Sequence, residues 1–309
     1  MRVLLILFLF FSQLLSSKNE HKIIDFGHST YEESYAFFMQ GALDDNKEAQ
    51  YHLALMNYHG LGMKKNKKLA FFWYKSASEL GDKLAQNNLA QMYFLGNGTS
   101  KNKKLAIYWF KKSVKQGYSL AELNLAMIYS SRINKKSQKK AFELYFSSAN
   151  KGIIFAQNNL AKMYYFGLGT KQNKKLAFKY YTMAANSDDS VAQKNLAMMY
   201  FLGEGTKKDP KKTIFWLNKS SKLGFVDAHM KLADFYRNAN YVKRDYKKSF
   251  NLYLKAAKYN KTKAMFYLGY FYYKGLGTKI DKSKAYFWLN KAKNNKHKRA
   301  AVFLRNNKF

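Results

Sequence analysis

The chain has no cysteine. That excludes a disulfide framework, a thiolate metal site, a thiol nucleophile and a lipid-modified cysteine. It has a single proline, Pro210, which argues against a turn-rich β fold and for uninterrupted helices. Acidic residues are scarce: 19 Asp and Glu stand against 55 Lys and Arg, for a formal net charge of +36. Of six histidines, only His52 and His59 share one of the expected repeat helices, and their seven-residue spacing is wider than the i, i+4 pair that grips a metal. No two carboxylates form a defensible inward-facing pair for acid–base work. No catalytic group, metal or cofactor is therefore expected. Past the first residues, no apolar run reaches the roughly 20 residues needed to span a bilayer.

The first residues are different. "MRVLLILFLFFSQLLSS" sets Arg2 before an apolar run from Val3 to Phe11, extends loosely to Leu15, and closes on Ser16 and Ser17. A basic start, a short apolar core and a small-residue cleavage point are the order of an export signal. Residues 1–17 are expected to be removed, leaving a mature chain that starts near Lys18. An uncleaved anchor is the alternative, and the shortness of the run argues against it. The expected destination is the periplasm or the extracellular medium, with no transmembrane span in the mature chain.

What the sequence has in abundance is repetition. "AQNNLAQMYFLGNGT" from Ala85 returns as "AQNNLAKMYYFGLGT" from Ala156 and "AQKNLAMMYFLGEGT" from Ala192. The opening alanines, Ala49, Ala85, Ala121, Ala156, Ala192, Ala228, Ala264 and Ala300, stand 36 residues apart save one interval of 35. A period held over the chain marks a repeat array, in which stacked neighbours complete a core no single unit can bury.

Each unit reads as two helices. Leucine stands four residues after each opening alanine through Leu268, a small residue follows it, and tyrosine stands at offset 8 in all but the first unit. Offsets 0, 4, 7 and 8 share one helical face. The helix stops at a Gly-x-Gly in five units, as at Gly96 and Gly98, because glycine accepts the positive φ of a C-terminal cap. No helix with free N–H groups begins directly at these glycines, which argues against a phosphate cradle. "SSRIN" and "RNANYVK" replace the pair in the third and sixth units, where an irregular turn is expected. The second helix is expected to be capped by Asn66, Asn102, Ser137, Asn173, Asp209, Asp245 and Asp281 in turn. Seven residues past the cap lies a column holding all four tryptophans, Trp73, Trp109, Trp216 and Trp288, expected to be buried between repeats. The helix closes near Gly81, Gly117, Gly152, Gly224 or Asn260.

The pattern A-x-x-x-L-A/G-x-x-Y-x-x-G-x-G followed by A-x-x-W-Y resembles the Sel1-like repeat family, which is related to tetratricopeptide repeats. The resemblance implies an all-α fold, an α/α solenoid of seven helix-turn-helix repeats over residues 49–299. Residues 18–48 would form an N-terminal partial capping repeat, in which "TYEESYAFFMQGALDDNKE" matches a second helix. Residues 300–309 would form a capping helix that matches a first helix.

Two surfaces are candidates for function. Offsets 2, 6 and 9 of the first helix lie within about 60° of each other, away from the core stripe. The likeness to tetratricopeptide proteins implies that they line a concave groove that takes a protein or peptide. This expectation names Tyr58, Asn87, Gln91, Phe94, Asn158, Lys162, Tyr165, Lys194, Met198, Phe201, Tyr270 and Tyr273 as partner-binding residues. Aromatic and Met anchors beside amides suit that task, and packing between repeats is an equal account of the offset-9 aromatics. The second surface is a basic ridge at the start of the second helices, carried by Lys67, Lys68, Lys103, Lys104, Lys139, Lys140, Lys174, Lys175, Lys211, Lys212, Lys247 and Lys248. Cations at a helix N-terminus oppose the macrodipole, so local stability does not account for them. An acidic protein, an anionic membrane or other anionic polymer would, and so would an AT-rich genome that favours Lys and Asn codons. Export argues against a specific nucleic-acid role. Cysteine-rich relatives in the family are associated with penicillin binding or weak β-lactamase activity. Here the cysteines are missing, and no Ser-x-x-Lys stands in a plausible nucleophile setting, so a binding module is expected rather than an enzyme.

Overall fold

The computed structural model describes residues 30–309. The expected export signal and the segment through Ser29 lie outside the described residues. Among those described there are sixteen helices and no strand, and the chain is an all-α, α/α solenoid. It divides after Ile153 into two compact units. The first holds α1 (Tyr31–Leu43), α2 (Lys47–His59), α3 (Lys67–Glu79), α4 (Lys83–Leu95), α5 (Lys103–Lys115), α6 (Ser119–Ser130) and α7 (Lys135–Asn150). The second holds α8 (Ile154–Phe166), α9 (Lys174–Asn186), α10 (Ser190–Leu202), α11 (Pro210–Lys222), α12 (Val226–Asn238), α13 (Tyr246–Ala257), α14 (Thr262–Lys274), α15 (Lys282–Asn294) and α16 (Lys298–Asn306). Inside each unit every helix packs on its sequence neighbours, most extensively where a first helix meets the second helix of its own repeat.

The repeated residues make this core. Leu53 and Leu89 in the first unit, and Leu160, Leu196, Leu232 and Leu268 in the second, are buried together with the alanines that follow most of them. At Gly269 even an alanine would be too large, since its Cβ would stand 2.5 Å from the Leu289 side chain. The tryptophan column is not the deepest part of the second helix. Trp73, Trp109 and Trp288 are half-buried, whereas the next residue in each helix is sealed: Tyr74, Phe110, Tyr145, Tyr181, Leu217, Tyr253 and Leu289. The reason is angular. Four residues separate this column from the small residue at Ala70 or Ala106, which aligns them on the inner line, and the tryptophan sits about 100° round from it.

Six expected N-caps form, each side-chain oxygen accepting from a backbone N–H one turn on, as Asn66 does from Leu69 and Asp245 from Lys248. Ser137 does not cap. Asn134 takes that place, its Oδ1 accepting from the Ser137 N–H at 2.9 Å. With no glycine turn to spend, the chain re-enters helix three residues earlier, and α7 is the longest helix described. The sixth unit keeps the regular turn without its glycines: Ala239 and Tyr241 hold φ of 61° and 59°, and Tyr241 packs its ring on Phe201 and Phe235. Helix α1 forms as expected, begun by a capping box between Thr30 and Glu33, and α16 forms at the other end.

Candidate functional site

The glycine turn positions the first candidate surface. The first glycine caps the helix in the left-handed region, as Gly96 does at φ 76°. The second approaches the preceding repeat: a Cβ on Gly98 would lie 2.1 Å from the Lys67 carbonyl oxygen, and one on Gly205 the same distance from that of Lys174. The turn therefore lies against the start of the preceding second helix. The residue between the glycines is then placed to contact the offset-9 residue of the preceding repeat.

Those contacts settle what several candidate residues touch. Asn97 donates to the Tyr58 hydroxyl at 3.2 Å and accepts from Lys67 Nζ at 3.4 Å, while Lys67 also lies over the Tyr58 ring. In the second unit Glu204 accepts from both Tyr165 Oη and Lys174 Nζ, and Lys174 lies over the Tyr165 ring. The carboxylate accepting its proton pushes the Tyr165 phenol up to about 12, and the same two donors hold Glu204 below the usual carboxylate range. Phe201 packs on Phe235 with ring centres 5.2 Å apart, and Tyr273 packs on Phe303 and Phe309. Most offset-9 aromatics thus join one repeat to the next.

At offset 2 the amides are inside the array. Asn87 and Asn158 are 3% and 8% exposed, and Asn87 Oδ1 accepts from Asn124 at 2.9 Å. Lys194 is half-buried, and burial pulls its ammonium below the ordinary lysine value. Beyond Leu55, which is buried in the first repeat, offset 6 is the accessible line: Lys162 is exposed, and Gln91, Met198 and Tyr270 are half-exposed, as is Phe94 at offset 9.

The basic residues divide too. Lys67 and Lys174 are half-buried in the contacts just described, whereas Lys68, Lys103, Lys104, Lys139, Lys140, Lys175, Lys211, Lys212, Lys247 and Lys248 are exposed. Lys140, Lys212 and Lys248 lie over the offset-8 tyrosines Tyr129, Tyr200 and Tyr236. Lys212 and Lys248 also pair with their own cap carboxylates, Asp209 and Asp245, at 3.8 and 3.3 Å. The cap anion offsets part of the unfavourable interaction between these cations and the helix N-terminus.

One buried polar column escaped the sequence pattern. Gln50, Gln86 and Gln193, at offset 1, donate to the carbonyl oxygens of Ala42, Ser78 and Ala185, each at 3.1 Å. They satisfy carbonyls left open at the end of the preceding second helix. In the third repeat Glu122 stands there instead, paired with Lys151 at 2.7 Å and accepting from Ser147. The recurrence of glutamine was visible in the sequence, but only the neighbouring helix end explains it. Among the described residues no three His, Asp or Glu side chains converge as metal ligands, and no helix is long and apolar enough to cross a membrane.

Helix pairs of one length, stacked in tandem with varied side chains along the first helices, define an α-solenoid repeat protein. The chain belongs to the Sel1 repeat family, whose profile matches residues 47–82, 83–118, 119–153, 154–189, 190–225, 226–258 and 262–297. The chain is similar in structure to a Sel1 repeat protein from Oxalobacter formigenes, with 26% identity and a TM-score of 0.74 over 89% of this chain and 80% of that one. It is also similar to c5321, a protective antigen of uropathogenic Escherichia coli with the same repeat fold, at 26% identity and a TM-score of 0.66 over 89% of this chain and 67% of that one. Comparison with curated proteins finds no match. Sel1-repeat proteins generally mediate protein–protein interaction.

Proposed function

We propose that the chain is an exported protein-interaction scaffold whose two units each present the accessible line of their own first helices to a protein partner. The observation that carries this reading is the contrast at offset 6. The frame around it is nearly invariant from repeat to repeat, yet this line changes from Gln91 to Lys162, Met198 and Tyr270, and each of these side chains keeps part of its surface open. Variation on a rigid, repeated frame is how a solenoid acquires a particular partner. The offset-9 aromatics and the buried Asn87 and Asn158 support the frame. In this reading residues 18–48 and 300–309 cap the array, and the export signal delivers it to the periplasm or the medium.

Crosslinking in the native host, followed by identification of what is captured, tests the proposal. Gln91→Arg with Lys162→Glu and Met198→Asp should abolish a specific crosslinked product and leave the helical circular dichroism unchanged, because none of the three is in the sealed core. An unchanged capture pattern from this folded variant would place the partner elsewhere. Sequencing the exported protein from its N-terminus should read from near Lys18.

A further inference from the structure

The outer faces of α3 and α5 carry a pattern that the partner-binding line does not use. Counted from the cap, residues 2, 6, 9 and 13 of each helix share one face. On α3 these are Lys68, Phe72, Lys75 and Glu79, and on α5 they are Lys104, Tyr108, Lys111 and Lys115, all eight exposed. Phe72 keeps 57% of its surface and Tyr108 48%. Each ring stands edge-on to the tryptophan that follows it, Phe72 to Trp73 at 5.0 Å and 78°, Tyr108 to Trp109 at 5.1 Å and 80°. Both tryptophans border one apolar cluster, so the outer rings are braced from behind. The single acid on these faces, Glu79, is held by Lys75 at 3.7 Å.

We infer that this face of the first unit docks on an anionic phospholipid bilayer. The rings lie at headgroup depth, where aromatic side chains with one wet side are favoured, and Lys68, Lys104, Lys111 and Lys115 meet the lipid phosphates. The choice of occupant follows from the arrangement. A soluble acidic chain would pair with the lysines and leave the projecting rings in water, whereas a bilayer interface takes up both at once. The charge of the face is attracted to such a surface, gains no electrostatic attraction from a neutral one and is repelled by a cationic one.

The inference is independent of the partner-binding reading, and its test uses no partner. The mature full-length chain is sedimented with phosphatidylcholine vesicles, with and without phosphatidylglycerol. Binding should require phosphatidylglycerol and weaken as salt rises. Phe72→Ala with Tyr108→Ala should lower partitioning about ten-fold. Exchanging one of the four lysines for Gln should lower it about five-fold. A second measurement does not depend on those variants. Trp216→Phe with Trp288→Phe leaves Trp73 and Trp109 as the only indoles, and their emission should be quenched by bromolipid in the anionic vesicles. Vesicle binding that survives the double aromatic change, or indole emission untouched by bromolipid, overturns the inference. Retention on immobilised polyglutamate that falls equally with the aromatic change would assign the face to an acidic polypeptide and overturn it as well.

Discussion

A methyl group built on Gly98 would strike the backbone of Lys67 at 2.1 Å, while one built on Gly81 meets nothing within 4 Å. Both residues have positive φ, 68° and 88°. The two positions therefore separate the conformational demand for glycine from the steric one. Gly81→Ala should cost about 1–2 kcal/mol, the ordinary penalty for an L-residue in the left-handed region. Gly98→Ala should carry that penalty and about 1–3 kcal/mol more, because the turn must move away from α3. Urea unfolding of the two variants measures the difference, and equal midpoints would mean that the turn does not bear on the neighbouring repeat. The sixth repeat shows the conformational demand alone. Ala239 and Tyr241 accept positive φ there, and the Tyr241 ring gains aromatic contacts that offset some of its cost.

At the scale of one helix, α5 shows how a conspicuous column and the sealed column differ. Trp109 catches the eye in the sequence, but Phe110 is 2% exposed and Trp109 is only half-buried. Phe110→Ala should cost about 3–5 kcal/mol through the cavity it leaves. Trp109→Ala should cost less, since part of that ring already faces water. The loss should be concentrated in the repeats that touch α5, as stability in an array is carried by neighbouring interfaces. Hydrogen exchange across residues 83–130 reads both the size and the spread. Larger exposure in the Trp109 variant than in the Phe110 variant would contradict the packing described. Helix α7 makes a related point about ends. An asparagine three residues ahead of the expected serine cap was enough to start the helix a turn early.

For the chain as a whole the dominant quantity is charge. Nineteen acidic side chains cannot neutralise 55 basic ones, and several of the ion pairs are surface contacts between a lysine and its own helix cap. Such pairs contribute little, so repulsion among lysines is the larger electrostatic effect on the folded chain. Raising salt from low to physiological ionic strength shortens the screening length from about 30 Å to about 8 Å and should raise the melting temperature. Thermal unfolding followed by circular dichroism at the two ionic strengths checks the sign. A melting temperature that falls with salt would mean that the ion pairs outweigh the repulsion. Half-buried lysines such as Lys67 and Lys174 are already committed to contacts between repeats, so the excess lies on the exposed ones.

The period, the two-helix unit, six of seven second-helix caps and the two end helices were legible in the sequence, because each follows from spacing along one chain. A 3.6-residue stripe, a cap oxygen and a left-handed glycine act within a few residues of themselves. What lay between repeats was not legible. Tyr165 meeting Glu204, Gln86 closing the end of α3 and Phe110 lying deeper than Trp109 all depend on how far one helix is turned against the next. That angle is set by the close approach of small residues such as Gly98 and Gly269 to another backbone, a condition of packed helices that no single helix contains.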